Sequence, residues 1–124
     1  ASLGLSVEKL LHDHETFGLL FEALVERDLR IYADYHEGHL FHFRDNVSGD
    51  EVDAILEFKN GDYAAFEIKL SDGSIKDAIT SLTRFYRYAK KKPKVMGIIV
   101  GHLQAVMQDK ETGIYILPAT SLKP

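Results

Sequence analysis

Residues 51–70 constrain this chain most, because two alternating strands there can bury their apolar residues together in only one relative phase. Before the turn, Ala54, Leu56 and Phe58 alternate with Asp53, Ile55 and Glu57; after it, Ala64, Phe66 and Ile68 alternate with Ala65, Glu67 and Lys69. The two apolar sets must share a core face, and a slip of one residue sends a whole set to the opposite side. A two-residue Asn-Gly loop pairs Lys59 with Asp62 and Asp53 with Ile68, which mixes the sets. A three-residue loop, Asn60-Gly61-Asp62, pairs Lys59 with Tyr63 and Asp53 with Lys69, and aligns every apolar residue. The pattern therefore selects the odd-numbered loop, or a bulge with the same effect. Asp53, Glu67 and Lys69 then line the other face as direct and diagonal neighbours, ~5–8 Å apart.

Around this hairpin the other elements follow from periodicity. Phe17, Leu20, Phe21, Leu24, Val25 and Leu29 recur at three- and four-residue steps, predicting a helix from about Glu15 to about Tyr32 that ends before Glu37-Gly38. A strand is expected over His39 to Arg44, then a turn through Asn46, Ser48, Gly49 and Asp50. After the hairpin, Ile75, Ala78, Ile79, Leu82, Phe85 and Ala89 predict a second amphipathic helix, stopped before Pro93. Val95 to Val100 is an unbroken apolar strand, of the kind covered on both faces. A last strand is expected from Gly113 to Leu117.

The order α-β-β-β-α-β-β describes an α/β fold, a mixed β-sheet flanked by helices, with a parallel crossover through the second helix. One domain is expected over residues 1–124. Residues 1–14, with loose helical spacing at Leu5, Leu10 and Leu11, read as the tail of an upstream segment. The chain opens on Ala1 rather than Met, so a piece of a longer protein is expected.

Composition narrows the chemistry. With no cysteine, a disulfide framework, thiol catalysis and a Cys-ligated zinc site are excluded, and a reducing cytoplasm is compatible. No apolar run approaches the ~20 residues of a membrane helix, and the start has no signal-peptide pattern. The net charge of −4, from 15 basic and 19 acidic residues, does not suit a domain that coats itself in nucleic acid. A polyanion would need a local patch or a metal. Arg84, Arg87, Lys90, Lys91 and Lys92 form the basic run. It reads either as a solvated helix end favoured by the helix dipole or as a phosphate contact, with Tyr86 and Tyr88 placed to stack on bases. His39 and His42 lie three apart on a strand and cannot share an ion, so the histidines are assigned to surface or ordinary polar contacts. Asn46-Val47-Ser48 matches a glycosylation acceptor that matters only in a secreted chain.

The converging charges have two readings. Polar alternation on a solvated face with a Glu–Lys pair is one. The other is a divalent-metal site: Asp53 and Glu67 as oxygen ligands on rigid strands, open positions for water and phosphate, and Lys69 to orient water or hold phosphate charge.

Glu51-Val52-Asp53, then about a dozen hairpin residues, then Glu67-Ile68-Lys69, resembles the PD-(D/E)XK nuclease superfamily. The helical Glu22, within Gly18-Leu-Leu-Phe-Glu22, and Phe43-Arg44-Asp45 are similar to a narrower group, the uncharacterised C-terminal domain of prokaryotic AAA-like P-loop ATPases. Val52 stands where that superfamily's proline would, and no Walker A loop is present. The resemblance spans roughly Phe17 to Leu122. It implies a restriction-endonuclease-like fold, Asp53 and Glu67 as ligands of Mg²⁺ or Mn²⁺, Lys69 as catalytic lysine, and Glu22 as an outer ligand or water-orienting group. Glu22 sits at the edge of the apolar stripe, and Gly18 one turn back leaves it room; a boundary glutamate paired with a lysine is the plainer alternative. The implied function is a cytoplasmic metal-dependent endonuclease domain acting on DNA, joined to an N-terminal ATPase domain. The alternative is a non-catalytic DNA- or protein-binding module that regulates the ATPase.

Overall fold

The computed structural model describes residues 14–35, 37–45, 47, 50–70, 72–101 and 105–119. Expectations for Leu3 to His12, for Asn46 and Ser48, and for the side chains of Phe17, Leu20 and Phe21 lie outside the described residues. Helix α1 runs over His14–Tyr35, followed by strands β1 (His39–Arg44), β2 (Glu51–Glu57) and β3 (Tyr63–Lys69). A 3-10 turn at Asp72–Ser74 leads into α2 (Ile75–Tyr88), then β4 (Val95–Val100), β5 (Met107–Gln108) and β6 (Tyr115–Pro118). The strands form one mixed sheet in the order β1-β2-β3-β4-β6-β5. The β3–α2–β4 crossover is parallel, as expected, and β4 pairs β6 in parallel. The expected α/β architecture is the one the chain adopts; the two-residue β5 is an addition too short to leave a periodic signal.

Each helix covers one sheet face. On the α1 side, Val25, Leu29 and Ala33 pack on Ala54, Leu56, Ala64, Phe66, Ile68 and Ile99. On the α2 side, Ala78 and Leu82 pack on Val52, Ile55, Ala65, Ile98 and Val100. Leu24, expected in the buried stripe, is instead 44% exposed. The stripe passes through Val25, Leu29 and Ala33 at four-residue steps, which leaves Leu24 at its margin. In β4 the side chains of Ile98, Ile99 and Val100 are fully buried, split between the two cores, as an apolar run in a doubly covered strand requires.

The hairpin corrects one sequence expectation. Its register pairs Leu56 with Ala64 and Glu57 with Tyr63, not Lys59 with Tyr63. The loop is Lys59-Asn60-Gly61, closed by Gly61 N–H to Phe58 O (3.0 Å) and Phe58 N–H to Asp62 O (2.8 Å). Gly61 has φ +90°, the left-handed third loop position where glycine is favoured. Asn60 Oδ1 accepts from Asp62 N–H at 2.9 Å and stiffens the turn. Both three-residue loops preserve the phase of the apolar sets, so alternation cannot separate them; the backbone demand at Gly61 does. The second sheet face is also a buried core rather than a solvated one.

Candidate functional site

The shifted register brings carboxylate to carboxylate. The β2–β3 rungs run to Ala54↔Phe66, and the next positions in that register are Asp53 and Glu67. The ladder opens there: Ile68 N–H donates to the Asp53 carboxylate Oδ2 at 2.8 Å, so a side chain takes the place of a backbone rung. A bulge in β2 produces this. Phe41 pairs Ile55 and Phe43 pairs Val52, so Asp53 and Ala54 together oppose His42 alone. A bulge of this kind re-aims a side chain, and here it puts Val52 in the same core as Ile55 while turning Asp53 into the gap between β2 and β3. His42 Nδ1–H donates to the Asp53 carbonyl at 3.0 Å, which anchors the bulge, and His42 Nε2 lies 3.9 Å from Glu51.

Glu67 is buried, 5% exposed, and is the one charged side chain among the buried described residues. Burial pushes its carboxyl from 4.5 up to about 8, helped by a hydrogen bond to Asp53 and by the Asp53 charge; the Ser81 hydroxyl, donating to Glu67 Oε1 at 3.1 Å, and the Lys69 charge act the other way. Burial and the neighbouring Asp53 carboxylate thus both favour the protonated form of Glu67. Lys69 ends β3, half-buried, opposite Val100. Glu22, half-buried on α1, is raised by burial, then by the Asp53 and Glu26 charges, and lowered by His42 and Lys69. The four sequence-derived residues Glu22, Asp53, Glu67 and Lys69 thus form one electrostatic cluster, with Glu22 contributed from the α1 side and Glu67 from the α2 side. Asp53 lies opposite Glu67 rather than opposite Lys69, for the register reason given above.

Among the described residues no group of three or more His, Asp or Glu surrounds one point at metal-binding distance. Asp53 and Glu67 are then the two carboxylates that could serve a cation at this point. Two adjacent carboxylates on rigid strands are the kind of donors a hard divalent ion takes, its remaining ligands coming from water and phosphate.

The basic run is divided in use. Lys92 Nζ donates to Tyr86 O and, at 3.1 Å, to Arg87 O, closing the carbonyl end of α2, and lies 5.0 Å from the Tyr86 ring. Lys91 Nζ donates to Gly61 O of the hairpin loop. Arg84 pairs with Asp50 at 3.2 Å. Arg87 and Lys90 are exposed and make no ion pair among the described residues.

Two contributors escaped the sequence reading. Ser81 had a signal: it lies three residues after Ala78 and four before Phe85, inside the apolar stripe, where a hydroxyl needs a buried partner. His42 had none, because its role depends on a bulge in the neighbouring strand.

No curated protein matches the chain. Residues 17–122 match one family, from α1 through the end of the sheet and including every residue of the cluster, so the chain belongs to the family described as Domain of unknown function (DUF4143).

Proposed function

We propose that the chain is a metal-dependent nuclease domain of PD-(D/E)XK type that hydrolyses DNA phosphodiester bonds, attached to a P-loop ATPase in the cytoplasm. The observation that carries this is the Asp53–Glu67 carboxylate pair, held by the Ile68 amide and the Ser81 hydroxyl, with Lys69 two residues beyond Glu67 on the same strand. Glu67 is pushed up to about 8 by burial and by Asp53, and strongly perturbed groups gather at functional sites. Asp53 and Glu67 would hold Mg²⁺ or Mn²⁺. A bound ion would supply charge neutralisation at the phosphate and a more acidic water. Glu67 is locked by Ser81, and Asp53 by the Ile68 amide and the bulge, so neither carboxylate has to reorganise. Lys69 lies on the same strand as Glu67, where its ammonium favours the charged forms of Glu22 and Glu67 and would stabilise the charge gathering on the phosphate. Glu22 would orient the water for in-line attack.

A second reading has its own support. Lys91 and Lys92 are spent on the backbone carbonyls of a loop and a helix end, and the net charge is −4. Both favour a non-catalytic module that regulates the ATPase.

Plasmid nicking with Mg²⁺ or Mn²⁺ separates the two. Wild type is expected to nick, and Asp53→Ala and Lys69→Ala to lose at least about 100-fold in rate, the scale of removing one electrostatic stabiliser. Nicking that persists in both variants removes the site. No nicking, with DNA or partner binding intact, moves the assignment to the module.

A further inference from the structure

Helix α2 covers the α2-side face of the sheet over β2, β3 and β4, but toward the β1 edge it leaves a hollow of about 440 Å³. That volume lies in the range of small-molecule sites. Its walls are aromatic: Phe41, Phe43, Tyr63, Phe85 and Tyr88, around Ile55. Phe85 is fixed edge-on against Phe43, centroids 5.2 Å apart, and against Tyr63 at 6.3 Å. The Tyr63 hydroxyl donates to Lys91 O, which ties the β3 end to the segment after α2. Two rings remain largely open to solvent, Tyr88 at 71% and Phe41 at 47%.

The charged residues of the hollow come in two groups by element. Arg84, Lys90 and Lys91 belong to α2 and the segment after it, whereas Asp45, Asp50 and Glu57 belong to β2 and the β1–β2 connection. Arg84 and Asp50 bind each other at 3.2 Å. Glu57 makes no side-chain bond among the described residues, and Lys90 makes no ion pair there. A ligand that uses every part of this hollow needs a flat apolar body, an N–H donor for a carboxylate and an anionic group for a lysine.

We propose that the hollow receives one unpaired nucleotide whose base carries an exocyclic amino group: the base stacks against Tyr88 and Phe41, its amino edge donates to Glu57, and its phosphate meets Lys90. Base–aromatic stacking tolerates any base; the carboxylate adds the preference, since Asp and Glu accept from base amino groups. The proposal deepens the nuclease reading and rests on it for its physiological source, a single strand of DNA. Tyr63 and Glu67 lie on the same face of β3, four residues or about 13 Å apart. Helix α2 packs over that interval, with Phe85 on Tyr63 and Ser81 on Glu67, so a strand seated in the hollow would pass around the helix rather than along β3.

The test is fluorescence anisotropy in EDTA, so that nothing is cut, with labelled 12-nucleotide single strands of mixed sequence and of thymine only, the matching duplex, and dGMP as competitor. The mixed single strand is expected to bind more tightly than the duplex and than the thymine strand, and dGMP to displace it. Tyr88→Ala, at an exposed position that leaves the fold intact, is expected to weaken binding about 10-fold, the scale of one lost stacked base. Glu57→Gln is expected to erase the preference over thymine. Binding of dGMP with none of the strand would make the source a free nucleotide. Unchanged binding in both Tyr88→Ala and Phe41→Ala, or equal affinity for thymine and mixed strands in the wild type, overturns the proposal. Asp53→Asn keeps the hollow intact. If nicking depends on Asp53 while binding ignores Tyr88, the nuclease reading stands and the hollow falls; if binding depends on Tyr88 and no variant or wild type nicks, the reverse holds.

Discussion

At the scale of single residues, the buried carboxyl of Glu67 carries the pH dependence. Burial, then the Asp53 carboxylate, push the Glu67 carboxyl from 4.5 up to about 8, so folding favours a protonated carboxyl where the unfolded chain is ionised at neutral pH. The sign follows by linkage. Stability from this group is fully present below the unfolded value near 4.5 and is lost as pH rises through about 8. Metal-free wild type should therefore lose thermal stability between pH 5 and about 8. Glu67→Gln keeps a donor for Asp53 and an acceptor for Ser81 but cannot ionise. In EDTA it is expected to melt within a degree or so of wild type at pH 5 and several degrees above it at pH 8. Parallel melting curves for the two proteins across that range would mean that Glu67 does not hold the proton.

At the scale of elements, the end of α1 shows how local strain is placed. Gly38 N–H bonds to Ala33 O at 2.7 Å and Glu37 has φ +57°, a helix end of the Schellman type with a glutamate in the left-handed position. Glycine is the usual occupant there, yet the glycine stands one residue later. The reason is contact: a Cβ on Gly38 would sit 2.8 Å from the Glu57 carbonyl of β2. Glu37→Gly should stabilise the domain by about 0.5–1 kcal/mol, since its ion pair with Lys59 at 3.4 Å is exposed and worth little. Gly38→Ala should cost more than about 1 kcal/mol, because backbone must move. Urea midpoints at unchanged m-value measure both, and opposite signs are the expected result.

At the scale of the whole molecule, the chain is acidic, and Arg87 and Lys90 of its basic run make no ion pair among the described residues. If Arg87 and Lys90 contact phosphate, replacing either with Ala should reduce the magnitude of the salt-dependence slope of DNA binding by about 1 and leave stability unchanged. Lys92→Ala should do the opposite, lowering the melting temperature through the lost cap on α2 with little change in slope. A slope that responds equally to all three would show that the basic run acts as one undivided patch.

Much of this protein was legible in the sequence alone. Apolar spacing settled the helices, the phase of the hairpin and the buried character of β4, because burying a face at the period of a helix or strand leaves few alternatives. Glu22, Asp53, Glu67 and Lys69 were singled out from residue order and resemblance. Tertiary structure decided how they meet. Two loops of equal parity leave the apolar pattern unchanged yet place Asp53 opposite Lys69 in one case and opposite Glu67 in the other. The bulge that turns Asp53 toward Ile68, the His42 bond that anchors it and the helix that buries Glu67 under Ser81 all depend on contacts between segments distant in sequence. A salt-bridged surface and a carboxylate pair with a buried Glu67 differ by what covers them. Burial is a property of what lies on top of a residue, and that is not written in its neighbours along the chain.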